Sequence, residues 1–430
     1  METLKKYFLF EERKTNLRTE ILAGVTTFLS MVYIVIVNPS VFSAGGVNFG
    51  GVYIATIIAA VTGTLIMGVA ANYPIAIAPG LGINAYVVYT VIILMGLSWQ
   101  EAFGAAAIAS GIFIVLSLTS FREMFINSIP ETLKKAIAAG IGLFIALIGF
   151  RNGHMVMPSE ATMVSLGSFS DSVFILTLIG LVLTMILMVL RVSGAVFIGM
   201  ILIAIIAKIL GWWELPNEFF SMPSGFTETF MKLEIGEIPI VAPIVFTILL
   251  VTLFDTTGTM LGIGRQAGLI KDGHFPNLKS ALLADSVASF IGAFCGTSPT
   301  SAYVESGTGV SAGGRTGFAS VVTAALFIAM IFFQPLAAAI ASLPSVTAPA
   351  LILTGCFMCS NIATIDWNNY SEAFPAFLTL VLIPFTYSIT TGIGIGILSY
   401  VILKIGTGKF KEVHPLLIVM AALFAWQLSM

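Results

Sequence analysis

Charge is scarce in this chain. Asp, Glu, Lys and Arg make up 9% of its 430 residues, against about 25% in an ordinary soluble domain, while hydrophobic side chains make up 58%. A water-soluble globule is excluded, and an integral membrane protein is expected. The net charge of -2 implies neither a nucleic-acid partner nor a strongly anionic ligand. Cysteine is nearly absent: Cys295, Cys356 and Cys359 all lie in or beside apolar runs. Cys356 and Cys359 share a CxxC spacing, but no second pair or nearby histidine accompanies them. Helix packing is therefore expected there, not zinc. The histidines, His154, His274 and His414, fall in expected loops, and no pair has metal-ligand spacing. No phosphate-binding P-loop is present, which argues against direct coupling to ATP. No nucleophile–base pair appears either. No cofactor, no metal and no enzyme chemistry are expected.

What the chain has instead is apolar length. Residues 1–18 read as a short amphipathic cytoplasmic helix; they run into a full span with no cleavage site and so do not form a signal peptide. Runs of spanning length follow near Ile21–Val37, Val52–Ala70, Ile75–Met95, Glu101–Leu118, Lys135–Phe150, Ser172–Leu190 and Ala195–Gly211. Trp212 and Trp213 close the seventh, as an aromatic belt would. The more polar 214–238 reads as an outer connector. A second set follows near Pro239–Leu261, Lys279–Phe294, 296–317, Phe318–Leu343, Ala348–Ile362, Tyr370–Tyr387 and Ile389–Ile405. Seven spans on each side of a connector give an odd-numbered repeat, so the halves 1–238 and 239–430 must insert with opposite topology. The tail 415–430 is apolar and left over from this count. With the N-terminus inside, sixteen of the 19 basic residues fall on inner loops, leaving Arg151, Lys208 and Lys232 outside. That is the asymmetry the positive-inside rule requires.

Two segments break the apolar pattern, one in each half. The first is PIAIAPGLGINAY, Pro74 to Tyr86, ending near Asn84. The second is GTSPTSAYVESGTGVSAGGRTG, Gly296 to Gly317, which carries Pro299, Glu305 and Arg315 among glycines, serines and threonines. Irregular backbone at membrane depth survives only when buried in protein or lining a cavity. Paired interruptions of this kind point to a transporter's substrate site. Half-helices starting after Pro79-Gly80 and Pro299-Thr300 would aim free N–H groups into that cavity.

Intramembrane carboxylates supply the opposite chemistry. Asp255 lies mid-span in LFDTTGT, Asp285 lies in the next helix, and Glu305 lies in the second break. A charge at mid-membrane costs about 2.5 to 3.5 kcal/mol on insertion scales. Each must face a cavity, be hydrogen-bonded or carry a proton, which makes all three candidates for proton coupling. The alternative for each is a helix cap or an ion pair, most evenly balanced for Asp285. Amide donors facing carboxylate acceptors suit a flat, neutral ligand with both C=O and N–H edges, such as a nucleobase; an oxyanion would want basic residues. Asn84 offers a hydrogen bond of either polarity, or packs between helices. Thr26, Thr27 and Phe28 in the first span are weaker candidates, and Phe28 or Tyr303 could stack on a ring. Arg315 is expected to snorkel to the interface, and Asp366 in TIDW to cap a helix.

The segments AGVTTFLSMVYIVIVNPS (23–40), APGLGINAY (78–86), LFDTTGT (253–259), 296–317 and ATIDW (363–367), in this order, resemble the AzgA-like purine permeases of the nucleobase/ascorbate transporter superfamily. The resemblance covers nearly the whole chain. It implies an all-α, polytopic fold of 14 spans as two inverted seven-span repeats, with short strands in spans 3 and 10. Spans 1–4 and 8–11 would form a core domain and spans 5–7 and 12–14 a gate domain. It also implies proton-coupled uptake of adenine, guanine or hypoxanthine across a plasma membrane. The span-eight acid falls on Asp255, the span-ten acid on Glu305 and the span-three polar group on Asn84. Glu305 would accept purine N–H groups, Asp255 would bind the opposite edge or carry the proton, and Asp285 would support them. Backbone N–H and C=O groups near Gly80–Asn84, Gly82 among them, and Ser301–Val304, with Tyr303, would complete the site; Thr26 is a further candidate. A homodimer through the gate surface is compatible with the sequence. A permease for uracil or xanthine, and a channel or receptor on the same fold, stay open at this point.

Overall fold

The computed structural model describes residues 2–119, 128–269 and 275–429; Arg122, Lys271 and His274 lie outside the described residues. Ten helices among those described are long and apolar enough to cross a membrane, and four shorter apolar helices accompany them. This is a multi-pass membrane protein.

The first span is two helices, α1 (Leu17–Met31) and α2 (Ile34–Ala44), separated by a turn at Val32 and Tyr33. Helix α3 (Phe49–Ile66) leads to strand β1 (Ile77–Pro79) and to the short helix α4 (Leu81–Ala85), which continues as a wider π-helix over Tyr86–Leu94. Then come α5 (Trp99–Leu118), α6 (Glu131–Asn152), α7 (Ser172–Val189) and α8 (Ala195–Ile209). The second half runs through α9 (Ile238–Gln266), α10 (Leu278–Cys295), strand β4 (Thr300–Ala302) and the short helix α11 (Ser306–Ser311). It ends with α12 (Gly317–Met330), α13 (Gln334–Ala341), α14 (Pro344–Met358), α15 (Tyr370–Phe385), α16 (Ile389–Gly406) and α17 (Pro415–Ser429).

Both sequence breaks become strand followed by half-helix. β1 and β4 pair antiparallel, Ile77 opposite Ala302 and Pro79 opposite Thr300. Two strands alone leave unpaired outer edges, which lipid cannot satisfy. Side chains of neighbouring helices close them. Thr64 of α3 both accepts from the Ile77 N–H and donates to the Ile77 carbonyl, each at 3.0 Å. Ser289 of α10 accepts from the Thr300 N–H at 2.9 Å. The half-helix of the second break starts at Ser306, not directly after Pro299-Thr300 as expected, because β4 and a turn through Glu305 intervene.

The helices pack in two groups. α1, α3, α5, α9, α10 and α12 pack around the paired strands, while α6, α7, α8, α14, α15 and α16 pack mainly on one another. The connector 214–238 folds back onto the first group: the Met231 N–H donates to Phe294 at 2.7 Å and the Glu234 N–H to Gln100 at 3.0 Å. The tail is a helix of 15 residues against α16, about 22 Å long at 1.5 Å per residue and so short of the roughly 30 Å hydrocarbon core.

Local features differ from expectation or add to it. The N-terminal stretch is not one helix: Glu2–Tyr7 is helical and α1 begins only at Leu17; Phe8 and Phe10 turn inward onto Phe318, with ring centroids 5.5 and 5.9 Å away. Residues Val156–Ser159 (β2) and Met163–Leu166 (β3) form a hairpin in a loop. Arg315 does not snorkel: its guanidinium donates to the carbonyls of Val310 and Gly314, both at 2.7 Å, closing the C-terminus of α11. His154 binds Asp171 at 2.6 Å, and that bond holds the Asp171 carboxyl below its usual range. Asp366 accepts from the Asn368 N–H at 3.1 Å, a turn contact.

Candidate functional site

A cavity of about 480 Å³ opens between the two helix groups, within the size range of small-molecule sites. Asp255, Phe254 and Gln266 of α9, Val304 of the second break and Gly82 of α4 line one side. Ile141 of α6, Phe357 and Met358 at the end of α14, and Asn361 in the turn that follows it line the other. Lys134 and Lys135 stand at its mouth. Gly82 is required by close approach: a Cβ there would meet the Ile141 side chain at 2.7 Å.

β4 distributes its side chains between two acids. Successive strand residues point to opposite faces, so Thr300 and Ser301 reach different carboxylates. Thr300 donates to Asp285 Oδ1 at 2.8 Å, and Thr256 donates to Oδ2 at 2.5 Å. Asp285 is fully buried. It joins α9, α10 and β4 as a structural bracket. Ser301 lies beside Asp255, which remains partly exposed on the cavity wall. Two aspartates 30 positions apart thus have opposite surroundings.

Glu305 sits at the entry to α11, where its side chain does not cap the helix. Its carboxylate is partly exposed and turned toward α1: Tyr33 donates to Oε1 at 2.6 Å. Its neighbour Val304, 66% exposed, faces the cavity. Around it, Ser30 binds Thr308 at 2.9 Å, and Gln266 donates to the Gly307 carbonyl at 3.0 Å and to Ser311 at 2.9 Å. Gln266 therefore braces the Glu305 half-helix from the helix that carries Asp255.

Other sequence candidates lie elsewhere. Asn84 is fully buried; its amide donates to Asn38 at 2.5 Å and its carbonyl accepts from Ser298. Asn38 donates in turn to Thr56 at 2.6 Å and Thr297 at 2.9 Å. That network ties the two breaks together and is not part of the cavity wall. Tyr303 donates to the Pro79 carbonyl at 2.6 Å and is buried. Thr26 bonds back to the Leu22 carbonyl at 2.8 Å. Phe28 packs edge-on to Phe327, centroids 5.2 Å apart. The aromatic faces in the cavity belong to Phe254 and Phe357. Adjacency to Asp255 in the sequence marks Phe254; nothing in the sequence marks Phe357, Asn361 or Tyr33.

A family model for permeases (Xan_ur_permease) matches residues 18–395. The chain belongs to this permease family. This permease is 47% identical over 432 residues to the guanine/hypoxanthine permease PbuO of Bacillus subtilis (strain 168), covering 98% of this chain and 99% of that protein. It is 38% identical over 426 residues to the adenine permease AdeQ of Escherichia coli (strain K12), covering 98% and 95%. Among solved structures, the transmembrane domain of a cyanobacterium bicarbonate transporter, BicA, matches with a TM-score of 0.63 at 14% identity, over 87% of this chain and 97% of that one. That likeness establishes the transporter fold alone. The permease is not an enzyme.

Proposed function

We propose that this permease takes up purine nucleobases together with protons by alternating access. The observation that carries the reading is one cavity with Asp255 on its wall and the Glu305 turn at its edge, in a chain similar over its full length to purine permeases. A purine is planar and carries N–H donors and acceptors on both edges, so it can span two carboxylates while its faces meet Phe254 and Phe357. Burial of the charges supports a proton as the coupling ion. Asp255 and Glu305 are the residues we assign to substrate and proton, with Asp285 holding β4 behind them.

In this reading the chain crosses the membrane 14 times as two inverted seven-span repeats, 1–238 and 239–430. The helix group around the strands is the moving core, and the group containing α6 and α14 is the gate. The N-terminus is cytoplasmic, the membrane is the plasma membrane, and the cavity, flanked by Lys134 and Lys135, is open to the inside. A homodimer would form through the gate helices, where Tyr370, Phe374 and Phe377 present exposed rings.

Uptake of labelled hypoxanthine, guanine, adenine and uracil in cells lacking their own permeases, with and without a protonophore, tests this. Saturable, protonophore-sensitive purine uptake is expected. Glu305→Gln and Asp255→Asn each remove a charged acceptor worth about 1.5 to 3 kcal/mol, so purine uptake should fall roughly 10- to 150-fold with the protein still in the membrane. No purine uptake by the native protein would sink the substrate assignment.

A further inference from the structure

We propose that Tyr33 is a positioning residue of the substrate site, which fixes one oxygen of Glu305 and links that carboxylate to α14 in the opposite helix group. The inference rests on the purine-permease reading above. Tyr33 lies in the turn between α1 and α2 and is 1% exposed. A buried phenol needs a hydrogen-bond partner. Its hydroxyl donates to Glu305 Oε1 at 2.6 Å, and the side chain of Thr354 on α14 lies beside it.

The direction of this chain follows from valence. An ionised carboxylate can only accept, and a phenol has one proton to give. Tyr33 therefore donates to Glu305, and its oxygen can accept only from a donor such as the neighbouring Thr354 hydroxyl. The bond to the carboxylate is short and charge-assisted. Because the Glu305 side chain does not cap α11, the hydrogen bond from Tyr33 is what holds it against α1. With Oε1 occupied, the other oxygen is the acceptor offered to a ligand. A proton or a purine N–H arriving at Glu305 changes what Tyr33 can donate to, and Thr354 carries that change to α14. The end of α14 forms the far wall of the same cavity.

Equilibrium binding of labelled hypoxanthine to the purified protein tests the first part. Tyr33→Phe keeps the ring and removes the hydroxyl; a rise in Kd of roughly tenfold is expected, that being the scale of a charge-assisted hydrogen bond. Because Tyr33 acts through Glu305, adding Tyr33→Phe to Glu305→Gln should weaken binding little further. The second part is read from transport: Thr354→Val should lower the maximal rate with KM near the native value, and Thr354→Ser, which keeps the hydroxyl, should restore it. Should Tyr33→Phe not fold, the Thr354 pair and its kcat-against-KM split still decide the link to α14. The proposal is overturned by an unchanged Kd in Tyr33→Phe, by losses that multiply in the double variant, or by equal rates for the Thr354 variants. A native protein that binds no purine removes the functional reading and this inference together; native binding with an unaffected Tyr33→Phe removes this inference alone.

Discussion

The two broken segments begin alike and end differently. Each is a strand of three residues followed by a short helix, and the strands pair with each other. From Ile77 through Val88 the first break is buried throughout, and its one amide side chain, Asn84, is satisfied on both ends inside the protein. The second break turns outward after Tyr303: Val304 and Thr308 are exposed and Glu305 is partly so. The first break is therefore packed as scaffold, with Gly82 alone reaching the cavity wall, whereas the second presents side chains outward. The cause is the neighbours. α4 is enclosed by α2, α6 and the 297–298 turn, whereas α11 is held from outside by Gln266, Ser30 and Tyr33, which leave its entry accessible.

Three variants sharpen or break that contrast. Asn84→Leu should have the largest effect on stability. It leaves Asn38 Oδ1 and the Ser298 hydroxyl without their buried partner, and at about 1 to 3 kcal/mol per orphaned group a loss on the order of 3 kcal/mol follows. Thermal unfolding in detergent reads this loss. Purine affinity per folded molecule should stay near native; a specific loss of affinity with unchanged stability would put Asn84 at the ligand and erase the division between the breaks.

Thr300→Val comes next. It takes one of the two hydroxyl donors from buried Asp285 and the partner from Ser289, at a cost of about 2 kcal/mol. A melting temperature within error of native would mean that β4 is not held by Asp285. Gln266→Ala is the mildest. Its partners Gly307 and Ser311 lie on an accessible half-helix and can turn to water, so about 1 kcal/mol is expected, with a fewfold rise in KM as α11 loosens. A stability loss as large as that of Asn84→Leu would contradict the accessible character assigned to the second break.

Much of this was legible in the sequence, for definite reasons. Long apolar runs with little charge point to membrane spans, and clusters of Pro and Gly inside such runs point to interruptions. The motif order carried the family. Asp255 on the cavity wall follows from the cost of an intramembrane carboxylate. Other features had no local signal. Asp285 and Asp255 sit in similar surroundings as sequence, Thr-rich or Ser-rich and apolar, yet one is sealed and the other open. Arg315 looked like a residue reaching for the interface and instead closes α11. Phe357 and Asn361 are unremarkable members of an apolar span until α14 is placed across from α9.

The sequence by itself determined the solvent, the interruptions and the inventory of acids, because each is a property of residues close together in the chain. Only the tertiary structure decided which acid faces the cavity and which is a bracket. That choice depends on β4, whose alternation sends Thr300 to Asp285 and Ser301 to Asp255 only once the strand lies between α9 and α10. It also decided the partner of Glu305, since Tyr33 stands 272 positions away. A hydrogen bond between groups so far apart in the chain is fixed by the packing of whole helices, and no local pattern encodes it.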